Sequence, residues 1–158
     1  MISTVRQFFE KHIKSNADKG NSVPVHSLQI ATAALLIEMM RADSEITDVE
    51  RNTVTDTIRT KFSLSREETD SLLQLAKEEI WASTGYFEFT SLMNKWFSYD
   101  EKVKVIEQLW DVAYADAILD SNEEYMVRKI AHLIHVEHRD FIDAKLRTRE
   151  KADSIDKQ

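Results

Sequence analysis

The sequence predicts an all-α fold: a compact bundle of about eight helices in two pseudo-repeated helix–turn–helix halves around two central buried helices. Three observations carry this expectation. Two glycines and one proline in 158 residues are too few for the tight turns that a β-rich chain of this length needs. Four Ser/Thr-x-x-Glu boxes, each followed by an apolar-periodic run, mark helix starts. Two segments, Leu28 to Met40 and Val103 to Ala115, carry enough apolar residues to be buried helices at the centre.

Taken in order, Ile2, Val5, Phe8, Phe9, His12 and Ile13 recur at helical spacing, giving a short helix over about 2–14. The polar run Ser15 to Ser22, with Gly20 and Asn21, is a loop. Pro24 suits the first turn of the next helix, where its missing N–H costs nothing. Leu28 to Met40 then forms a helix that is apolar on nearly every face. The boxes Thr47/Glu50, Ser65/Glu68, Ser98/Glu101 and Ser121/Glu124 place helix starts near 48, 66, 99 and 122. Leu72, Leu73, Leu75, Ala76 and Ile80 line a fourth helix, and Phe89, Met93 and Trp96 a short fifth one. Val103, Ile106, Leu109, Trp110 and Ala113 mark the second central helix. Val127, Ile130, Ala131 and Ile134 follow, and then Phe141 and Ala144. The domain reading is one helical domain over 1–146, with a first repeat at about 26–80 and a second at about 99–146. Residues 147–158 form a polar tail, expected to be frayed.

Charge and composition exclude several function classes. The net charge is −7, and residues 38–124 hold 20 acids against nine bases. Such a block repels phosphate backbones and argues against nucleic acid, while it attracts cations or a basic protein partner. The chain has no cysteine, so disulfides, thiolate metal sites and thiol nucleophiles are absent. No run of about 18 apolar residues is present to span a bilayer. Met1 to Lys14 lacks the apolar core of a signal peptide, so a cytoplasmic protein is expected. Phe8 and Phe9 with Lys11 and Lys14 allow peripheral membrane contact, but packing on the domain is the favoured reading.

Shifted by 73 residues, part of the chain lies on itself. Leu36, Ala42, Asp43, Ile46, Glu50 and Val54 align with Leu109, Ala115, Asp116, Leu119, Glu123 and Val127. The shared skeleton, A-D-x-x-I/L-x-x-x-E, follows one buried helix and opens another, which implies one structural unit used twice, related by an approximate two-fold axis.

The segments Met40 to Glu50 and Tyr114 to Glu123 resemble the TerB-like family, whose pattern is roughly A-x-x-D-G-x-I/L-x-x-x-E, twice in an all-helical domain. That family includes tellurite-resistance protein B and a region of DnaJ-type co-chaperones. The resemblance covers about residues 28–145. It implies a link to tellurite and general stress resistance, acidic turns suspected of holding a divalent metal, and no established catalytic activity. The glycine that follows the family's Asp is Ser44 in one copy and Ala117 in the other, so the turns are built without a residue that favours left-handed backbone.

The candidate cation site comprises Asp43, Glu50, Asp116 and Glu123, helped by Glu45, Asp48 and Asp120. Hard divalent cations want several carboxylate and carbonyl oxygens, and four carboxylates on one ion require the two turns to meet. The competing reading is structural. Glu50 is the N3 residue of the Thr47 box, Glu123 stands in the same relation to Asp120, and Asp43 and Asp116 close turns through backbone N–H groups. An EF-hand is excluded, because Asp43 and Glu50 are seven positions apart where the calcium loop needs about eleven.

His132, His135 and His138 lie three apart, and the helical Glu-x-x-His pairing of a di-iron site is missing. No G-x-S-x-G, P-loop, Rossmann or H-E-x-x-H pattern occurs, so an enzyme is not expected. Trp81, Tyr86, Phe87, Phe89, Trp96, Phe97 and Tyr99 join the two repeats. They pack between the halves or form an exposed patch for a partner. The functional expectation is a non-catalytic, stress-associated scaffold or divalent-cation-responsive interaction module. The alternative is a metal-independent protein-binding module that uses the acidic face or the aromatic linker.

Overall fold

A computed structural model of the chain describes residues 4–14, 23–42, 47–77, 86–115 and 123–156. Among these residues there are eight helices and no strand. They are α1 (Thr4–His12), α2 (Val25–Ala42), α3 (Asp48–Lys61), α4 (Arg66–Lys77), α5 (Tyr86–Trp96), α6 (Tyr99–Ala115), α7 (Glu123–Leu133) and α8 (His138–Asp156). None of them is long and apolar enough to cross a membrane.

Local capping chemistry sets the helix starts. At α3, the Glu50 N–H donates to the Thr47 hydroxyl at 3.2 Å and the Thr47 N–H to the Glu50 carboxylate at 2.9 Å. The same reciprocal pair opens α4 at Ser65 and Glu68, and α6 at Ser98 and Glu101. Each box satisfies two backbone donors that a helix start otherwise leaves without partners. The fourth box lies outside the described residues, at Ser121 and the Glu124 side chain. Pro24 sits one residue before α2, and its carbonyl accepts from the Leu28 N–H. Glu101 has a second duty, since its other oxygen accepts from the Val23 N–H at the entry to α2.

The two apolar segments form the centre as expected. On α2, Leu28, Ile30, Ala31, Ala33, Ala34, Leu35, Leu36 and Ile37 are all buried. On α6, Val105, Ile106, Leu109, Trp110, Val112 and Ala113 are buried as well. The two helices pack on each other, α8 lies along α6, and α4 lies along α2. A polar pair marks the α2–α6 contact: the buried Thr32 hydroxyl meets the Gln108 side chain at 2.7 Å and the Leu28 carbonyl at 2.8 Å. α1 packs chiefly on α5, with further contacts to α4 and α2.

A helix-exit turn recurs with one hydrogen-bond pattern. After α3, the Leu64 N–H reaches the Arg59 carbonyl and the Ser63 N–H that of Thr60. After α7, the Val136 N–H reaches the Ala131 carbonyl and the His135 N–H that of His132. Both are Schellman closures, with a left-handed residue between two buried apolar ones: Phe62 and Leu64 in the first, Ile134 and Val136 in the second. The left-handed positions are Ser63 (φ 51°) and His135 (φ 60°). A side chain there opposes the conformation by about 1–2 kcal/mol, so Ser63→Gly and His135→Gly are each expected to stabilise the fold by about 0.5–1 kcal/mol. Urea unfolding midpoints check this. A loss of stability in either variant would mean that the side chain contributes more than its strain costs.

Two expectations need correction. The stretch from 147 was expected to fray, yet α8 continues to Asp156. Thr148 is buried there, and Arg147 bonds the Glu107 carboxylate through Nε at 3.1 Å and through its terminal nitrogen. Helical phase and a cross-helix ion pair thus hold a segment whose composition alone reads as a tail. The aromatic linker also divides. Phe89 and Phe97 are buried, while Phe87, Trp96 and Tyr99 are 61%, 42% and 40% exposed. The buried line runs through Phe89 and Met93 on α5 to Phe97 just after it, not to Trp96, which turns outward beneath the Lys14 ammonium at 4.1 Å. Trp81 and the Tyr86 side chain lie outside the described residues.

Candidate functional site

The two acidic segments, 43–50 and 116–123, supply the candidate site, and the structure describes a minority of its side chains. Asp43, Glu45, Asp116 and Asp120 lie outside the described residues, as does the Glu123 side chain, although Glu123 opens α7. Glu50 is held by the Thr47 box. The Thr47 backbone N–H, followed by its hydroxyl, keeps the Glu50 carboxyl below the usual glutamate range. Asp48 is exposed at the start of α3 and meets Arg51 at 3.0 Å. Both are thus placed by helix-start chemistry, at the beginning of the helix that follows the first acidic turn. Among the described residues no group of three or more His, Asp or Glu side chains is placed to hold a metal ion. His132 and His138 are exposed on either side of the α7–α8 turn, and His135 is its left-handed residue.

A second constellation, with no local sequence signal, ties the helix starts together. The His26 Nε2 lies 2.9 and 3.0 Å from the two Glu68 oxygens, and its Nδ1 lies 3.0 Å from the Gln29 amide oxygen. Burial pushes the Glu68 carboxyl up, but the Ser65 N–H and His26 outweigh it and hold the group below its ordinary range. Glu68 therefore caps α4 and anchors it to the start of α2. At the start of α6, the Tyr99 hydroxyl donates to the Asp140 carboxylate and accepts from the Glu137 N–H at 3.0 Å. Asp140 is one methylene shorter than Glu68, and the tyrosine hydroxyl fills the gap between carboxylate and capping N–H. Burial, then the bond to Asp140, makes the Tyr99 hydroxyl a weaker acid than an ordinary tyrosine, so it stays a donor.

The 73-residue shift carries His26 onto Tyr99, and a shift of 72 carries Ser65 and Glu68 onto Glu137 and Asp140. The offset drops by one within the helix that follows each acidic turn. A fixed-shift comparison therefore finds the acidic turns and misses these latches.

Beside the first latch, α1 and α4 enclose an open groove of about 690 Å³, with Phe8, His12 and Leu75 at its floor and Lys11, Arg66, Glu67 and Asp70 among its walls. Lys11 and Glu67 approach to 3.9 Å across it. On α6, burial raises the Asp111 carboxyl above the ordinary aspartate range, and the ammonium groups of Lys151, Lys61 and Lys104 partly offset this.

Comparison with known proteins bears on the whole arrangement. No curated protein and no solved structure matches the chain. The family model for tellurite resistance protein TerB matches residues 29–146, a span that takes in both acidic segments, both exit turns and the Tyr99–Asp140 latch, while His26 of the other latch precedes it. The chain belongs to the TerB family of tellurite resistance proteins.

Proposed function

We propose that the protein is a non-catalytic, stress-associated module of the tellurite-resistance type, acting in the cytoplasm and responding to divalent cations through the turns bearing Asp43, Glu50, Asp116 and Glu123. The supporting observation is the family match over 29–146, which spans the duplicated A-D-x-x-I/L-x-x-x-E skeleton. Hard cations are the natural ligands of clustered carboxylates on an acidic surface. The sequence carries no G-x-S-x-G, P-loop, Rossmann or H-E-x-x-H motif to suggest a rival chemistry.

The test is thermal unfolding of chelator-stripped protein with and without Ca²⁺, Mg²⁺, Mn²⁺ and Zn²⁺, beside the Asp43→Asn/Asp116→Asn variant. An ion that binds only the native state stabilises it by about 2.7 kcal/mol at a hundredfold excess over its Kd. The expected result is a shift in the wild type that disappears in the variant. No shift with any ion, and a variant that simply melts lower, would reduce the carboxylates to turn and helix caps.

A second reading follows from Glu50, Glu68 and Glu101 being committed to capping. On this reading the acidic face, or the aromatic linker through its exposed Phe87, recruits a protein partner independently of metal. A salt-sensitive interaction lost on charge reversal at Glu45 and Asp48, and unaffected by chelator, distinguishes it from the first.

A further inference from the structure

Helix α1 lies before the family-matched span, yet its side chains complete the core of that span. Val5, Phe9 and Ile13 are fully buried and Phe8 nearly so, with Phe9 packed edge-on to Phe89 and stacked on Phe97. The last turn of α1 differs in kind from this apolar anchor. His12 is 9% exposed at the floor of the α1–α4 groove, and its ring lies 4.7 Å from that of Phe8. A titratable ring is thus part of the surface by which α1 docks.

We propose that α1 is a proton-responsive clasp, whose docking on α4 loosens when His12 takes up a proton.

The charges that act on the ring come from two helices. Lys11 on α1 repels an imidazolium, while Glu67 and Glu68 on α4 attract one. From α2, His26 faces the same field by engaging Glu68, and Arg66 and Asp70 line the groove beyond. Burial is the largest influence and works with Lys11 against the two acids, so docked His12 binds a proton less readily than a solvated histidine.

The sign follows. Docked His12 has the lower proton affinity, so docking is at full strength above the solvated histidine value of about 6.5. It weakens as pH falls below that value. One unit below, the undocked form is favoured by at most about tenfold. That factor raises the opening frequency of α1 while leaving most molecules closed, because Val5, Phe8, Phe9 and Ile13 still hold the helix. Undocking uncovers Phe89 and Phe97, both inside the family-matched span.

The test is amide hydrogen exchange on the full chain at pH 7.5 and 5.5, corrected for the intrinsic pH dependence of exchange. The opening constant over residues 8–13 is expected to rise severalfold, up to about tenfold, with little change along α6 and α8. His12→Asn should abolish the rise, and His26→Gln should leave it in place. His12→Gln repeats the comparison if the asparagine variant does not fold. An equal rise in α1, α6 and α8, or a rise that survives both His12 variants, would overturn the proposal. So would an NMR titration placing the His12 ring at or above the solvated value.

Discussion

Trp110→Ala is expected to destabilise the protein by about 3–5 kcal/mol, the range for removing a large side chain from a closed core. Trp110 has no exposed surface and sits where α6 meets α8. Its indole stacks on Tyr114 at 5.8 Å, meets Phe141 at 5.5 Å and lies under the Lys145 ammonium at 5.4 Å. Truncation leaves a void that rigid helices on both sides cannot close, so the loss exceeds simple transfer from water. Trp110→Phe should cost far less. It keeps a ring against Phe141 and removes an indole N–H that is buried with no hydrogen-bond partner among the described residues. Urea unfolding gives both values. Equal losses in the two variants would show that a phenyl ring recovers none of the stability and that the whole indole is required.

Phe9→Ala should fall in the same range, about 3–5 kcal/mol, although it changes a helix outside the family-matched span. Phe9 is fully buried between Phe89 and Phe97 at ring distances of 5.6 and 5.9 Å. Such aromatic contacts contribute about 0.5–1.5 kcal/mol beyond the area they bury. Phe87→Ala provides the contrast, because that ring is 61% exposed, and its truncation should stay within about 0.5 kcal/mol. If Phe9→Ala also stays within that limit by urea unfolding, α1 is an appendage and the core closes without it.

What could be read from the sequence was local chemistry. The boxes at Thr47, Ser65 and Ser98 join residues three positions apart, so spacing alone placed three helix starts. The apolar run of α2 announced its burial for the same reason. The exit turns escaped notice because the left-handed positions are Ser63 and His135, where glycine would have signalled the geometry. The buried line of α5 was misplaced by one residue, because Trp96 and Phe97 are equally apolar in pattern and only the tertiary partner, Phe9, selects between them. The latches His26–Glu68 and Tyr99–Asp140 join residues about forty positions apart and leave no periodic trace. Of the candidate cation ligands that the structure describes, Glu50 was legible both as a cap and as an acid, and the two readings share the same carboxylate. His12 looked like one more member of an apolar stripe, and only its place between α1 and α4 gives it a different meaning.

Glu101 shows how such joints constrain the drift of the sequence over evolutionary time. One of its oxygens serves the start of α6 and the other serves Val23, 78 positions earlier in the chain. Aspartate is too short for both tasks. Glutamine has one acceptor oxygen and would turn an NH₂ group toward one of the two backbone donors. Neighbouring exposed positions on α6 are free to vary, but this one is locked by two distant stretches of backbone at once. Invariance at Glu101 among related chains would therefore reflect the assembly of the fold and would be poor grounds for assigning it a role in binding.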